Sequence, residues 1–216
     1  MDILKTCREC IYFFRSNLSR FVTILLPLLI LMEIAIHLIE LSLPNNLQTV
    51  ATLLLGILLG SLYNAAVIYF MASIVTNNPW SVIHCYRAAL LVWFKLALLY
   101  LITTIATLAG LIAFVIPGIF AFIRFAFADF ICILEDRTAL DAMNESWQRT
   151  QRYQWEIMAG YALLLLLFEG PIYIFYQFAA QPIAESVLHI LSNIVTFVGT
   201  VYLFRIYTIL KNNAIA

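Results

Sequence analysis

Charged residues are scarce in this chain, and their two signs balance. Only 11% of the 216 residues are Asp, Glu, Lys or Arg, with 12 acidic and 12 basic side chains. An ordinary soluble domain carries about 25%. The low charged fraction excludes a soluble globule with a polar shell, and the high apolar content excludes a disordered chain. The balanced charge, with no basic patch, excludes nucleic acid as a main partner.

Glycine, proline and cysteine are also few. Seven Gly and six Pro exclude a collagen-like fibre. Of the four Cys residues, Cys7 and Cys10 form a lone C-x-x-C. A zinc site would need a second such pair, and a redox motif would need a thioredoxin-like setting. We therefore predict four reduced thiols, no disulfide and no cofactor.

Hydrophobic residues, by contrast, make up 64% of the chain. A bilayer core about 30 Å thick needs about 20 apolar residues in a helix. The apolar runs are continuous rather than alternating, which favours helices over barrel strands. We predict an all-α, polytopic protein that forms a single membrane domain over residues 1–216. The predicted transmembrane helices cover residues 21–43, 47–75, 91–116, 117–134, 155–178 and 186–210.

The basic residues predict an orientation. Eleven of the 12 Lys and Arg residues lie before the first span, between spans two and three or at the start of span three, between spans four and five, or near the end. The connections at 44–46, 117–118 and 179–185 carry none. By the positive-inside rule, both termini face the cytoplasm. The charged first 20 residues and the long apolar run after them do not resemble a cleavable signal.

Each of the predicted cytoplasmic segments has an amphipathic pattern. Residues 3–18 place apolar side chains at spacings of three or four, with basic side chains on another face. Asn78 and Pro79 predict the start of a second such helix, and Thr138 with Asp141 predicts the start of a third. The pattern favours three hairpins, each preceded by an interfacial helix, over pseudo-repeats 1–76, 77–136 and 137–216. The alternative is that the pattern reflects no internal repeat, because any membrane protein built from hairpins has interfacial linkers.

One group of residues carries a family resemblance. It comprises Ile116-Pro-Gly-Ile119, Arg124, Ile133-Leu-Glu135, Ala139-Leu140 and Ser146, with Phe13-Phe14-Arg15-Ser16-Asn17 near the start. This arrangement resembles the YciC family of uncharacterised inner-membrane proteins of Gram-negative bacteria. It is also similar to membrane domains attached to some glycerophosphodiester phosphodiesterases. The resemblance implies a six-span protein of the bacterial inner membrane with a role in the envelope, and it carries over no catalytic residues.

Ionisable side chains within the spans are the candidate functional residues, since each costs about 2.5–3.5 kcal/mol on insertion scales. Glu33, Arg124 and Glu169 fall at similar predicted depth on three spans, and Asp129 lies nearer the cytoplasm. We hypothesise that Arg124 pairs with Glu33, Glu169 or both, because its fork of donors suits carboxylates. Such a cluster would serve either as a polar cavity for a lipid headgroup or proton, or as an ion pair that fixes helix register.

Histidine provides a weaker candidate. His37 lies between Glu33 and Glu40 on one helical stripe, which is compatible with a metal site. One helix rarely completes such a site, and no H-E-x-x-H motif is present, so we expect His37 to reach the outer surface instead. His189 is expected near the outer interface and His84 in solvent. We predict no metal ligands and no catalytic residues.

Small residues and prolines predict local packing. Gly56 and Gly60 form a G-x-x-x-G face next to Asn64, which favours close helix contact within or between chains. Pro117 and Gly118 predict the turn between spans three and four. Pro171 predicts a kink in span five, beside Glu169.

Three functions remain open. The first is a non-enzymatic role in envelope organisation through membrane lipids or other inner-membrane proteins, with a homo-oligomer left open. The second is a transporter of a lipid, small molecule or proton. The third is an intramembrane enzyme, for which Glu33 with His37 or Arg124 with Asp129 would have to act as the reacting pair. The scarcity of polar residues outside the membrane favours the first.

Overall fold

The computed structural model describes residues 2–177 and 182–215. In these ranges the chain forms α-helices joined by short connections, and the predicted all-α class is confirmed. The helices are Ile3–Ser16 (α1), Leu18–Ser42 (α2), Asn45–Val75 (α3), Val82–Ala113 (α4), Val115–Arg124 (α5), Ala128–Leu134 (α6), Ala139–Thr150 (α7), Gln154–Tyr176 (α8) and Pro182–Ile215 (α9).

The six predicted spans are confirmed in the described residues, by length and composition. They correspond to α2, α3, most of α4, the α5–α6 pair as Ile116–Leu134, α8, and Glu185–Lys211 within α9. Within a bilayer, a helix satisfies its own backbone hydrogen bonds, so apolar runs of this length become helices. Successive spans pack together, α2 on α3, α4 on α5 and α8 on α9. Residues 179–181 of the predicted connection 179–185 lie outside the described residues.

The prediction of a second interfacial helix that is separate from the following span is wrong. Ser81 caps the N-terminus of α4 by accepting a hydrogen bond from the His84 N–H at 3.3 Å, and α4 then runs unbroken to Ala113. Residues 82–113 contain no proline, and their one glycine is Gly110, so nothing separates the amphipathic segment from the span that follows. Asn78 and Pro79 belong to the preceding connection, where Asn77 adopts a φ of 55°.

The fourth span differs from the prediction in two ways. The turn before it is at Phe114, an extended residue, whereas Pro117 and Gly118 lie in the first turns of α5. Proline suits this position because the first helical turn leaves its N–H groups unpaired. The span is also broken at residues 125–127, so that α5 ends at Arg124 and α6 begins at Ala128. Only the structure reveals this break, which proves central to the site.

The close helix approaches involve glycines other than the predicted pair. A β-carbon at Gly56 would meet nothing within 4 Å, so the G-x-x-x-G prediction is wrong as a contact within this chain. Instead, α8 and α9 interlock reciprocally. A β-carbon at Gly160 would overlap the Tyr202 ring, and one at Gly199 would overlap the Tyr161 ring. Each glycine therefore receives an aromatic side chain of the facing helix.

Helix α1 closes one end of the bundle. Its buried face carries Cys7, Cys10 and Phe14, while Tyr12 on the other side is 74% exposed. This face packs against α9, α8 and α2, and Arg205 of α9 donates to the Glu9 carboxylate at 3.1 Å. All four cysteines are buried and free. Burial raises the pKa of Cys10 to about 12.

Candidate functional site

Asp129, in the first turn of α6, lies at the centre of a buried hydrogen-bond cluster. The Asn64 side-chain amide on α3 and the Tyr100 hydroxyl on α4 each donate to Asp129 Oδ2, both at 2.9 Å. The amide of Asn64 also contacts the Tyr100 hydroxyl. Both donors reach the same oxygen, and Oδ1 receives no hydrogen bond from the described residues. Three helices thus converge on one carboxylate.

Asp129 borders a cavity of about 470 Å³ that is lined by residues of α3, α4, the break between α5 and α6, α6, α8 and α9. We call it the polar cavity. Its wall is mainly apolar, but it includes polar side chains from Thr103, Thr104, Thr107, Asn193, Thr196 and Thr200. The break shapes the cavity directly, because Phe125 and Ala126 of the break line it. Ligand sites commonly have volumes of about 300–1,000 Å³, so the polar cavity is large enough for a small ligand.

The polar residues of α9 extend this site to Glu169. Ser192, Thr196 and Thr200 recur at spacings of four on α9 and face α8 or the polar cavity. Ser192 donates to Glu169 Oε2 at 2.7 Å, and Thr196 donates to Oε1 at 2.6 Å. Glu169 is thus held between two hydroxyl groups at the border between the polar cavity and a neighbouring one.

That second cavity, of about 400 Å³, lies between α8 and α9 and is mainly apolar. Glu169, Ser192 and His189 supply its polar groups. His189 pairs in turn with Glu33 of α2. Polar side chains therefore extend from the Glu33–His189 pair to Glu169 and Thr196 at the polar cavity, with His189 and Ser192 both lining the second cavity.

The predicted pairing of Arg124 with Glu33 or Glu169 is wrong. Arg124 is only 7% exposed, and its Nη1 donates to the Trp147 carbonyl of α7 at 3.1 Å. Its guanidinium lies 4.8 Å from the Phe120 ring centroid and 5.2 Å from that of Trp147. Since α5 ends at Arg124, the break turns this side chain toward α7. Arg124, Glu33 and Glu169 are consequently not brought together.

Helix α7 supplies the hydrogen bonds that the break leaves unmade in the fourth span. The Ser146 hydroxyl donates to the Arg124 carbonyl at 2.7 Å and accepts from the Phe127 N–H at 3.1 Å. Thr150 also donates to the Arg124 carbonyl, at 3.3 Å. Buried backbone groups without partners are costly, so these contacts stabilise the broken conformation. Arg124 and Ser146, two residues that carry the family resemblance, hold the break.

Glu135 anchors the same region just beyond α6. Its two oxygens accept from Arg149 Nη1 and Nη2, both at 2.8 Å, and Tyr207 donates at 2.7 Å. Burial by itself would raise the pKa of Glu135, but the hydrogen bonds from Arg149 and Tyr207 and the charges of Arg149 and Lys211 outweigh it and hold the pKa at about 2. Thr138 caps α7 as predicted, accepting from the Asp141 N–H at 3.3 Å.

The predicted stripe of Glu33, His37 and Glu40 is not assembled as a common site. His37 Nδ1 lies 3.7 Å from Glu40 Oε2, and both side chains are more than half exposed. Glu33 instead pairs with His189. In the part of the chain that the structure describes, no three His, Cys, Asp or Glu side chains form a group that could hold a metal ion.

Of the predicted residues, Asp129 lines the polar cavity, and Glu169 accepts a hydrogen bond from Thr196, which lines it. His37 and Arg124 do not line the polar cavity. The sequence analysis did not assign Tyr100 or the threonines to the site, and it assigned Asn64 only to helix packing. Their spacing contains a signal: Tyr100, Thr103, Thr104 and Thr107 share one helical face, as do Ser192, Thr196 and Thr200. A search for uncharged polar stripes, in addition to ionisable residues, would have found them.

Comparison with known proteins identifies relatives in bacteria. The chain is 29% identical over 121 residues to a UPF0259 membrane protein of Buchnera aphidicola subsp. Baizongia pistaciae, which covers 55% of this chain and 48% of that protein. It is 26% identical over 158 residues to a UPF0259 membrane protein of Sodalis glossinidius, covering 71% and 63%. The matched parts thus span about half to two thirds of these relatives. No solved structure gives a significant match.

The family assignment is broader than these pairwise similarities. The model of the uncharacterised protein family UPF0259 matches residues 38–209, which include the Asp129 cluster, the break and the polar face of α9. The match covers well over half of the chain. The chain belongs to the uncharacterised membrane protein family UPF0259.

Proposed function

We propose that the protein binds a lipid or another small polar molecule in the polar cavity and thereby has a non-enzymatic role in organising the bacterial envelope. One observation carries this proposal: a cavity of about 470 Å³ whose lining includes hydroxyls, two amides and a carboxylate, among helices apolar enough to cross a membrane. Polar groups are costly to bury in a membrane without partners. A bound molecule would supply a partner for Asp129 Oδ1, which receives no hydrogen bond from the described residues.

The contacts of the carboxylates support binding over catalysis. Asp129 is held by an amide and a phenol, and Glu169 by two hydroxyls. The two pairs predicted for an intramembrane enzyme, Glu33 with His37 and Arg124 with Asp129, are not assembled. Glu33 pairs with His189 instead, and Arg124 packs against Trp147. A base with a positioned partner is what acid–base chemistry needs.

Native mass spectrometry after gentle detergent extraction tests this proposal. Thr104→Trp places a large side chain at the wall of the polar cavity, and Leu101→Trp, on the exposed side of the same helix, is the matched control. We expect a stoichiometric bound molecule in the unmodified protein and in the control, and its loss in Thr104→Trp. Equal retention in all three proteins, or a bare chain throughout, would overturn the proposal.

A bacterial inner-membrane location with both termini in the cytoplasm is part of the proposal. The distribution of Lys and Arg supports it, as does the resemblance to YciC-like proteins and to the membrane domains of some glycerophosphodiester phosphodiesterases. The exposed positions Tyr12 and Leu41 test it. With a membrane-impermeant maleimide on intact spheroplasts, Leu41→Cys should react and Tyr12→Cys should not, and the buried native thiols should give little background. The opposite labelling pattern would reverse the orientation.

A second candidate, a transporter, is favoured by one separate observation. The fourth span is broken beside the polar cavity, and discontinuous helices are common at transport sites. Polar side chains also extend from Glu33 to Thr196 along the linings of both cavities. A pH-sensitive dye trapped in proteoliposomes would report proton flux. If the candidate holds, the flux exceeds that of protein-free vesicles and is lost in Glu169→Gln. Flux at the protein-free level would rule out proton transport.

A further inference from the structure

We propose that the polar cavity binds its ligand by an ammonium group placed against Asp129 Oδ1 and surrounded by aromatic side chains. This inference rests on the proposed binding function and adds the chemical class of the ligand. The same chemistry occurs in the headgroup of an aminophospholipid and in a free organic ammonium ion, and the experiment below distinguishes these two sources.

The charge of the polar cavity points to a cation. Among the described residues that line it, Asp129 is the one ionisable carboxylate, and none is Lys, Arg or His. Asp129 forms no ion pair with the described residues; its two partners, Asn64 and Tyr100, are neutral. An anionic ligand group would be repelled by the carboxylate. A cationic group would compensate its charge in surroundings where charges are poorly screened.

The geometry of the carboxylate leaves a place for that cation. Asn64 and Tyr100 both donate to Oδ2, which fixes the orientation of the Asp129 side chain and leaves Oδ1 without a donor from the described residues. Glu169 provides the contrast, because Ser192 and Thr196 occupy both of its oxygens. Asp129 is therefore prepared to accept another donor, whereas Glu169 is satisfied within the fold.

Aromatic side chains complete the site. Tyr63 packs edge-on against Phe197 with ring centroids 5.8 Å apart, and Phe122 packs against Tyr161 at 5.6 Å. These four rings and Phe125 line the same cavity as Asp129. Ring faces attract ammonium groups, and this attraction strengthens where water is excluded. A carboxylate combined with several aromatic walls matches the chemistry of an ammonium ion better than that of an anion.

Competition between two lipids tests the inference on the full-length protein. We would exchange the protein into mixed micelles holding equimolar phosphatidylethanolamine and phosphatidylglycerol with identical acyl chains, and measure bound lipid by native mass spectrometry. For the unmodified protein we expect about fivefold or more enrichment of phosphatidylethanolamine. Asp129→Asn should abolish the enrichment, and Glu40→Gln, at an exposed carboxylate that does not line the polar cavity, should preserve it. Equal binding of the two lipids by the unmodified protein would overturn the lipid source.

A second set of measurements covers the free ion and the folding of the variants. If the ligand is a free organic ammonium ion, ethanolamine or tetramethylammonium raises the Tm of the delipidated protein, and Asp129→Asn does not respond. Phe125→Leu keeps an apolar side chain while removing one aromatic face, so it should weaken either form of selectivity even if Asp129→Asn fails to fold. Selectivity that survives in Asp129→Asn contradicts the inference.

The outcomes separate this inference from the proposed function. The unmodified protein could retain a molecule that Thr104→Trp loses, yet show no preference for the ethanolamine headgroup and no response to free ammonium ions. That result would leave cavity binding in place and overturn the ammonium assignment. Absence of any retained molecule and of any Tm response overturns both.

Discussion

Ser146 on α7 donates a hydrogen bond from its hydroxyl to the backbone carbonyl of Arg124, at the point where the fourth span is broken. The same hydroxyl accepts from Phe127 on the other side of the break. A side chain from an amphipathic helix thus replaces the backbone hydrogen bonds that a continuous helix would have made there. The shape of the polar cavity depends on this contact, since the break contributes Phe125 and Ala126 to its wall.

Ser146→Ala should destabilise the protein by about 1–3 kcal/mol, because it leaves a buried carbonyl and a buried N–H without this partner. The free energy of unfolding, measured by denaturant titration in detergent, checks the prediction. Ser42→Ala, at an exposed position at the end of α2, is the control and should change it little. If both variants are equally stable, Ser146 does not hold the break.

Gly160→Ala should destabilise the α8–α9 contact by about 1–3 kcal/mol, since a β-carbon there overlaps the buried Tyr202 ring. Tyr202 cannot easily move away because its hydroxyl donates to the Glu156 carbonyl at 2.8 Å. The Tm in detergent measures the effect. Gly170→Ala on the same helix, where a β-carbon meets nothing within 4 Å, should be tolerated. The double variant Gly160→Ala/Tyr202→Leu should lose less stability than the sum of the losses in the two single variants.

Glu33 and His189 should be energetically coupled across α2 and α9. In a double-mutant cycle with Glu33→Gln and His189→Ala, we expect a coupling energy of about 0.5–3 kcal/mol, as is usual for residues in direct contact. His37 and Glu40 form a matched control, being a His and a Glu that lie near each other in exposed positions. Their cycle should be close to additive. Additive behaviour of Glu33 and His189 as well would contradict the pairing.

The stability of the protein should fall in acid through Glu135. Its pKa is lowered from 4.5 to about 2, so the folded state favours the charged carboxylate. This contribution is fully present above about pH 4.5 and is lost as the pH falls from there through about 2. Glu135→Gln should lower the Tm at neutral pH and reduce its fall over that acid range. Glu40→Gln, an exposed carboxylate, should leave the acid profile unchanged.

The sequence predicts the positions of the spans well because hydropathy and length depend only on residues that are neighbours in the chain. Thr138 could be identified as the cap of α7 for the same reason: its partner is three residues away. The partner of Arg124 could not be predicted, because it depends on which way the helix faces and on a break that no proline or glycine marks. Asp129, Asn64 and Tyr100 lie 29 to 65 residues apart. Depth along a helix can be estimated from sequence, but rotation about its axis is decided by packing against other helices.

The cluster around Asp129 shows a further limit of sequence reasoning. Charged residues within an apolar run stand out because they are costly to bury, so a sequence draws attention to Arg124 and Glu33 before uncharged threonines and tyrosines. Inside a bundle, however, hydroxyls can line a cavity at lower desolvation cost than charged groups. This is why Thr104 and Thr107 belong to the candidate site and Arg124 does not.

The docking of α1 on α9 has a consequence for the order in which the molecule is assembled. Glu9 and Arg205 are 196 residues apart in the chain, so α1 is synthesised long before its main packing partner exists. Until α9 has been inserted, the face that carries Cys7, Cys10 and Phe14 lacks its main packing partner. An amphipathic helix in that position can rest on the bilayer surface. Helix α1 is therefore synthesised before α9 but reaches its final contacts only after it, and a chain arrested before α9 would leave this apolar face partly uncovered.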